Sequence, residues 1–165
     1  MRKRVAAAMF CFGLGIVGAI WATATGAQAG DRHAGYYYPE PATREVYEAR
    51  SELLPEASRA TRIGFVTGIA KQISERPFPP QAVMFAKGAE AEKLIIVALV
   101  DGRIDTLYRA RAVLANMTAA ARLLPAFREM GVQDWFTFLD LVHMLGFKQI
   151  TISNGRDFAH QLIIE

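Results

Sequence analysis

The chain has 165 residues, 52% of them hydrophobic and 21% charged, with one cysteine and a formal net charge of +3. The positive excess is local: Arg2, Lys3 and Arg4 open a stretch without acids that also holds Cys11, whereas from Gly30 onward basic and acidic side chains balance at 16 each. A neutral, cysteine-free body argues against a nucleic-acid binder or a polybasic membrane-surface protein, and excludes a disulfide framework, a thiolate metal site and a cysteine nucleophile there. A chain of this size buries about 65–70% of its unfolded surface, enough for one core.

Met1-Arg2-Lys3-Arg4, the uncharged run from Val5 to Thr25, and Ala27-Gln28-Ala29 before Gly30 follow the three-part plan of a secretory signal. Small residues at Ala27 and Ala29 suit the signal peptidase, which predicts cleavage before Gly30. The apolar run approaches the length of a membrane span, but Gly13, Gly15 and Gly18 and the Ala-x-Ala end favour cleavage over a retained anchor. Cys11 still has apolar sequence after it, the wrong place for a lipid-modified N-terminus. The expected location is the periplasm or the exterior, with no stable membrane span after cleavage. Absence of cysteine in the body suits a bacterial periplasm.

Residues 30–60 read as an extended arm and a short helix. Tyr36-Tyr37-Tyr38 precede Pro39-Glu40-Pro41, which holds the backbone extended. From Ala42 to Leu54, Val46, Ala49, Leu53 and Leu54 recur at helical spacing, with Pro55 as the stop. Residues 61–165 read as the α+β domain. Ile63, Phe65, Thr67 and Ile69 alternate with Gly64, Val66, Gly68 and Ala70, predicting a strand with one small-residue face. Ala82 to Ala86 form a second strand. Leu94 to Val100, seven apolar residues in a row, predict a third that is buried on both faces and central.

Asp105 is placed to cap a helix whose Leu107, Ala110, Val113, Leu114, Met117, Ala121 and Leu124 form one stripe. Pro125 starts a shorter helix ending near Gly131, and Asp134 opens another ending at Gly146. Period two returns around Ile150, Ile152, Phe158, His160, Leu162 and Ile164. A three-residue loop with Gly155 left-handed unites the apolar faces, pairing Ile152 with Arg156 and Ile150 with Phe158. The order predicts a two-layer α+β domain: an antiparallel sheet of about five strands with two to three helices.

Candidate chemistry is sparse. His33, His143 and His160 lie in an arm, a helix and a strand, without metal-ligand spacing. His160, at an apolar alternating position, reads as a core histidine with a hydrogen-bond partner. Thr137, Asp140 and His143 are three residues apart on one helix face, where a carboxylate raises the basicity of an imidazole; that face is expected to be solvated. Arg109 and Arg111 could form an anion-binding edge with Arg103 and Arg122, but two-residue spacing points them apart, and Asp105 is a natural partner. No serine sits on a Gly-x-Ser-x-Gly turn and no phosphate-cradling glycine loop occurs in the body. The most partner-like feature is Tyr36, Tyr37, Tyr38 and Pro39, large rings on a pre-extended segment, unless the arm folds back over the domain's own sheet.

His33 to Pro41, Phe85-Ala86-Lys87-Gly88, Asp105 to Ala112 and Phe158-Ala159-His160-Gln161 together resemble a family of small exported alphaproteobacterial proteins of uncharacterised function, across nearly the whole chain after the signal. Members of that family often bear the label molybdopterin-guanine dinucleotide biosynthesis protein A. The residues oppose that label: the guanylyltransferase has a Gly-Gly-x-Ser-x-Arg-x-Gly loop, no Gly-Gly pair occurs here, and its substrates are cytoplasmic. The resemblance implies a compartment and carries no activity or cofactor. Three functions are expected in descending order. The first is a non-catalytic module that binds a protein partner, at a membrane complex, through the arm or a sheet edge. The second is a small-ligand or enzyme site between sheet and helices that uses Asp140, His143, Arg109 or Arg111. The third is the molybdenum-cofactor guanylyltransferase.

Overall fold

The computed structural model describes residues 38–165. The expected signal segment, the expected cleavage residues Ala27, Ala29 and Gly30, and Tyr36 and Tyr37 of the arm lie outside the described residues. Five strands and four helices follow one another as β1 (Thr43–Tyr47), α1 (Arg59–Ser74), β2 (Ala82–Lys87), β3 (Lys93–Ala98), α2 (Leu107–Arg122), α3 (Pro125–Glu129), α4 (Phe138–Met144), β4 (Gln149–Ser153) and β5 (Ala159–Ile164).

The strands form one sheet in the order β1-β5-β4-β3-β2. β1 runs parallel to β5 and β3 parallel to β4, while β2–β3 and β4–β5 are antiparallel. The expected two-layer α+β architecture and five strands are present, but the sheet is mixed rather than antiparallel and four helices stand where two to three were expected, because the segment read as the first strand of the domain is helix α1. The cause of the mixed pairing is the chain path. α2, α3 and α4 lie between β3 and β4, and a crossover through helices brings the chain back in the same direction.

Two elements exchange character relative to the sequence reading. The predicted helix over Ala42–Leu54 contains strand β1, whose residues alternate between half-buried and exposed, the period of an edge strand. Thr43, Val46 and Tyr47 suit a strand, and pairing with β5 decides the outcome over weak helical spacing. The predicted strand over Ile63–Ala70 lies inside helix α1. Ser58 caps it, its hydroxyl accepting from Thr61 N at 3.2 Å. Phe65 and Val66 both pack on the main core, and Ile63 and Ile69 flank them, so apolar residues occupy more than one side of this helix and blur its 3.6 periodicity.

Two helix starts move: Thr106, not Asp105, caps α2 with its hydroxyl accepting from Arg109 N, and α4 opens at Thr137 rather than Asp134, because a side chain that bonds the first-turn amides sets each start. Other local signals hold. β3 is an interior strand with Leu94, Ile95 and Ile96 fully buried, although β4 is the middle strand and the predicted buried run stops at Ala98, leaving Leu99 and Val100 exposed. Gly131 and Gly146 end α3 and α4 with positive φ of 68° and 84°. At Gly146 the amide bonds His143 O at 2.7 Å and the Phe147 amide bonds Val142 O at 3.0 Å, the paired bonds of a Schellman ending. The β4–β5 loop is longer than expected: Ile152 faces His160 and Ile150 faces Leu162. Asn154 Oδ1 accepts from the amides of Arg156, Asp157 and Phe158 at 3.0–3.1 Å, wrapping these residues into the turn. Gly155 is left-handed as expected.

The core lies on the helix-covered face, where Leu94, Ile96, Ile150, Ile152, Leu162 and Ile164 meet Leu114, Phe138, Val142 and Phe147. On the other face Tyr38, 2% exposed, packs with Ile95, Ala159 and Val97. Among the described residues, no helix is long and apolar enough to cross a membrane.

Candidate functional site

The structure separates the four polar candidates. Asp140 is fully buried and belongs to the fold. It stands three residues past Thr137 and closes a capping box on α4: its Oδ2 accepts from Thr137 N at 2.7 Å and Thr137 Oγ1 at 2.9 Å. Tyr47 Oη on β1 donates to the same oxygen at 3.0 Å, and Arg50 N donates to Oδ1 at 2.8 Å. Burial pushes this carboxyl up, but the Arg50 and Thr137 amides and the two hydroxyls outweigh it, and its pKa falls below 3.8. The expectation of a solvated face is therefore corrected. The buried side of α4 includes Asp140, while Trp135, just before the helix, is 69% exposed. Sequence reading missed Tyr47 and Arg50 because they come from β1 and the segment just after it, which it read as a helix.

His143 is held by Ser51, not by Asp140's carboxylate. Ser51 Oγ donates its one proton to Asp140 O at 2.9 Å, so at the 2.9 Å contact with His143 the imidazole Nδ1–H is the donor. This assigns the lone pair of a neutral His143 to Nε2. His143 lines a polar cavity of about 580 Å³ with Leu53, Arg62, Glu90, Glu92 and Lys148. Two of the ionic groups there, Arg62 and Glu92, are already engaged. Arg62, 7% exposed, donates to Glu90 O at 2.9 and 2.7 Å and to Leu145 O at 3.3 Å, and Glu92 Oε2 accepts from Glu90 N at 2.9 Å. Arg62 thereby satisfies a carbonyl at the C-terminal end of α4, where the helix dipole favours a cation.

Arg109 pairs with Asp105 at 2.7 Å and with Gly102 O, whereas Arg111 reaches Glu45 on β1. They serve different partners, as their spacing implied. Glu45 also stands 3.7 Å from Nε2 of His160. His160 is fully buried, with Nδ1 2.8 Å from Thr43 Oγ1 and Nε2 without a hydrogen-bond partner. Burial lowers its pKa below 6.5; Glu45 and Thr43 oppose that shift and Arg111 adds to it. His160 is the core histidine the alternation predicted. Tyr38, offered as a partner-binding ring, is covered by its own sheet, and Pro39 beside it is half-buried. Among the described residues, no group of three or more His, Cys, Asp or Glu could hold a metal ion.

A mostly apolar cavity, with Arg76 as its one ionic lining residue, is a groove of about 630 Å³ between α1 and α2. Gly64, Phe65, Gly68, Ile69 and Ile73 of α1 form one wall, Met117, Ala120 and Ala121 of α2 the other, with Met84 of β2 and Phe138, Leu141 and Leu145 at α4 between them. Helix α1 packs chiefly on β2 and α2 packs on α4, so the two long helices are splayed. A Cβ added at Gly64 or Gly68 would meet nothing within 4 Å, so each leaves open space on its side of α1. The sequence signal for this wall was present as the small-residue face of the segment read as a strand. No protein-family model, curated protein or solved structure matches this chain.

Proposed function

We propose that this chain is an exported, non-catalytic binding module that takes a small apolar molecule in the groove between α1 and α2. The carrying observation is the groove itself: about 630 Å³, within the range of small-molecule sites, and lined almost wholly by apolar side chains. Met84 and Met117 adapt their shape to an occupant, and the missing side chains at Gly64 and Gly68 leave the α1 wall open. A catalytic reading has less support, because Asp140, His143, Arg109 and Arg111 face different partners instead of converging. Docking of a protein through the Tyr36–Pro39 arm loses one of its rings, since Tyr38 is buried. Export rests on the N-terminal signal pattern.

The test is titration with N-phenylnaphthylamine, a neutral dye that brightens in apolar sites. Wild type is expected to saturate at one site, and Gly68→Leu, which fills open space on a helix, to lose that binding while keeping its fold by circular dichroism. Absence of saturable binding in wild type, or unchanged binding in the variant, overturns the groove as the site.

A further inference from the structure

We infer that the groove's occupant is a single-chain amphiphile with an anionic head, held at Arg76. The inference rests on the groove reading and adds its ligand class. The groove continues into a second cavity of about 410 Å³, sharing Ile73, Arg76, Met84 and Met117 with it. The site is therefore elongated, running along α1 from Gly64 to Ser74, about 15 Å at the helical rise, and on to Arg76 past the helix end. That shape suits an extended aliphatic chain better than a compact ring. Two flexible thioethers at the junction can follow such a chain.

Charge decides the other end. Arg76 is the one ionic side chain that lines either cavity, and among the described residues no carboxylate lies within 4.0 Å of it. The neighbouring cation–carboxylate pair, Lys71 with Glu75, is on the same helix but lines neither cavity. A guanidinium at the rim of an apolar trough complements a carboxylate or phosphate whose tail lies in the trough, because its planar fork donates two parallel hydrogen bonds. The tail occupies the larger groove toward Leu145, and the smaller cavity beside Phe78 and Pro79 gives the head room.

Competition against N-phenylnaphthylamine with three molecules of equal chain length tests this: dodecanoate, dodecanol and dodecylammonium, all below their micelle concentrations. Dodecanoate is expected to displace the dye about two- to fivefold more tightly than dodecanol, the advantage of one exposed ion pair, with dodecylammonium weakest. Arg76→Gln is expected to erase the preference and leave dodecanol unchanged. Rising salt should shrink the preference in wild type only. Equal affinity for all three heads, or a preference that survives in Arg76→Gln, overturns the anionic ligand while leaving the groove reading intact. Binding confined to vesicles of anionic phospholipid, without displacement by free dodecanoate, overturns it too and assigns Arg76 to a bilayer surface. Failure of the dye itself to bind wild type removes the groove reading first.

Discussion

The two flanks of the helical layer are built on opposite principles. Around β1 and α4, polar side chains are buried and bonded to one another: Asp140 receives four hydrogen bonds, from Thr137 N, Thr137 Oγ1, Tyr47 Oη and Arg50 N, and His160 lies between Thr43 and Glu45. Between α1 and α2, apolar walls stand apart around a cavity. The residue types that usually signal chemistry hold the fold together, and the open groove is made almost wholly of apolar residues, with Arg76 as its one ionic side chain.

Breaking the bonded flank should have the largest effect. Asp140→Ala leaves the donors of Tyr47, Thr137 and Arg50 without their acceptor and is expected to cost about 3 kcal/mol, read as a lower urea midpoint at unchanged slope. Dye binding in the groove should survive in the folded fraction; its loss would mean that the flanks are coupled.

Acid sharpens the contrast next. The folded pKa of His160 is below 6.5, so the unfolded chain binds more protons in that window. Stability is therefore full above pH 6.5 and falls as the pH drops toward the folded value. Asp140 adds a second loss beginning below 3.8, where the unfolded carboxyl protonates first. Replacing His160 by Gln should flatten the first decline and leave the second, measured by thermal unfolding across pH. A decline that persists unchanged in H160Q would place the titrating group elsewhere.

The groove flank should respond in the opposite direction. Gly68→Leu, which removes dye binding, is expected to raise stability by up to about 1 kcal/mol, because it replaces a helical glycine without meeting a neighbour. A stabilised, non-binding variant is the signature of a site kept open at some cost to the fold. Arg109→Ala should change stability by no more than about 0.5 kcal/mol, since its pair with Asp105 is solvent-screened; a larger loss would give the 101–106 turn a structural role the ion pair does not explain.

Legibility in the sequence followed the range of the determining interaction. Gly131, Gly146 and Pro125 act within one helical turn and were readable in place, as was the buried run of β3. The β4–β5 register kept its faces but shifted by four residues, because Asn154 captures three amides that a spacing argument treats as strand. β1 and α1 exchanged types because each is decided by packing outside its own segment: pairing with the distant β5 for one, the core and β2 for the other. The two errors offset in the strand count and not in topology. The burial of Asp140 was illegible for the same reason, since two of its donors come from the segment around β1, ninety or so positions away. Arg76 gave no sequence signal, as a lone arginine after a helix acquires meaning only from the walls beside it.

The parallel pairing of β1 with β5 joins Thr43 to His160, residues 117 positions apart, and the seam is extended by Ala49 N to Glu165 O at 2.7 Å and Glu165 N to Tyr47 O at 3.0 Å. An edge strand near the start of the domain thus has no partner until its last strand is available, whether the chain emerges from a ribosome or from a translocation channel. Such long-range closure slows folding, because the entropy of a large loop is lost before the pairing rewards it. β1 stays an exposed template in the interval, open to a neighbouring copy or a chaperone.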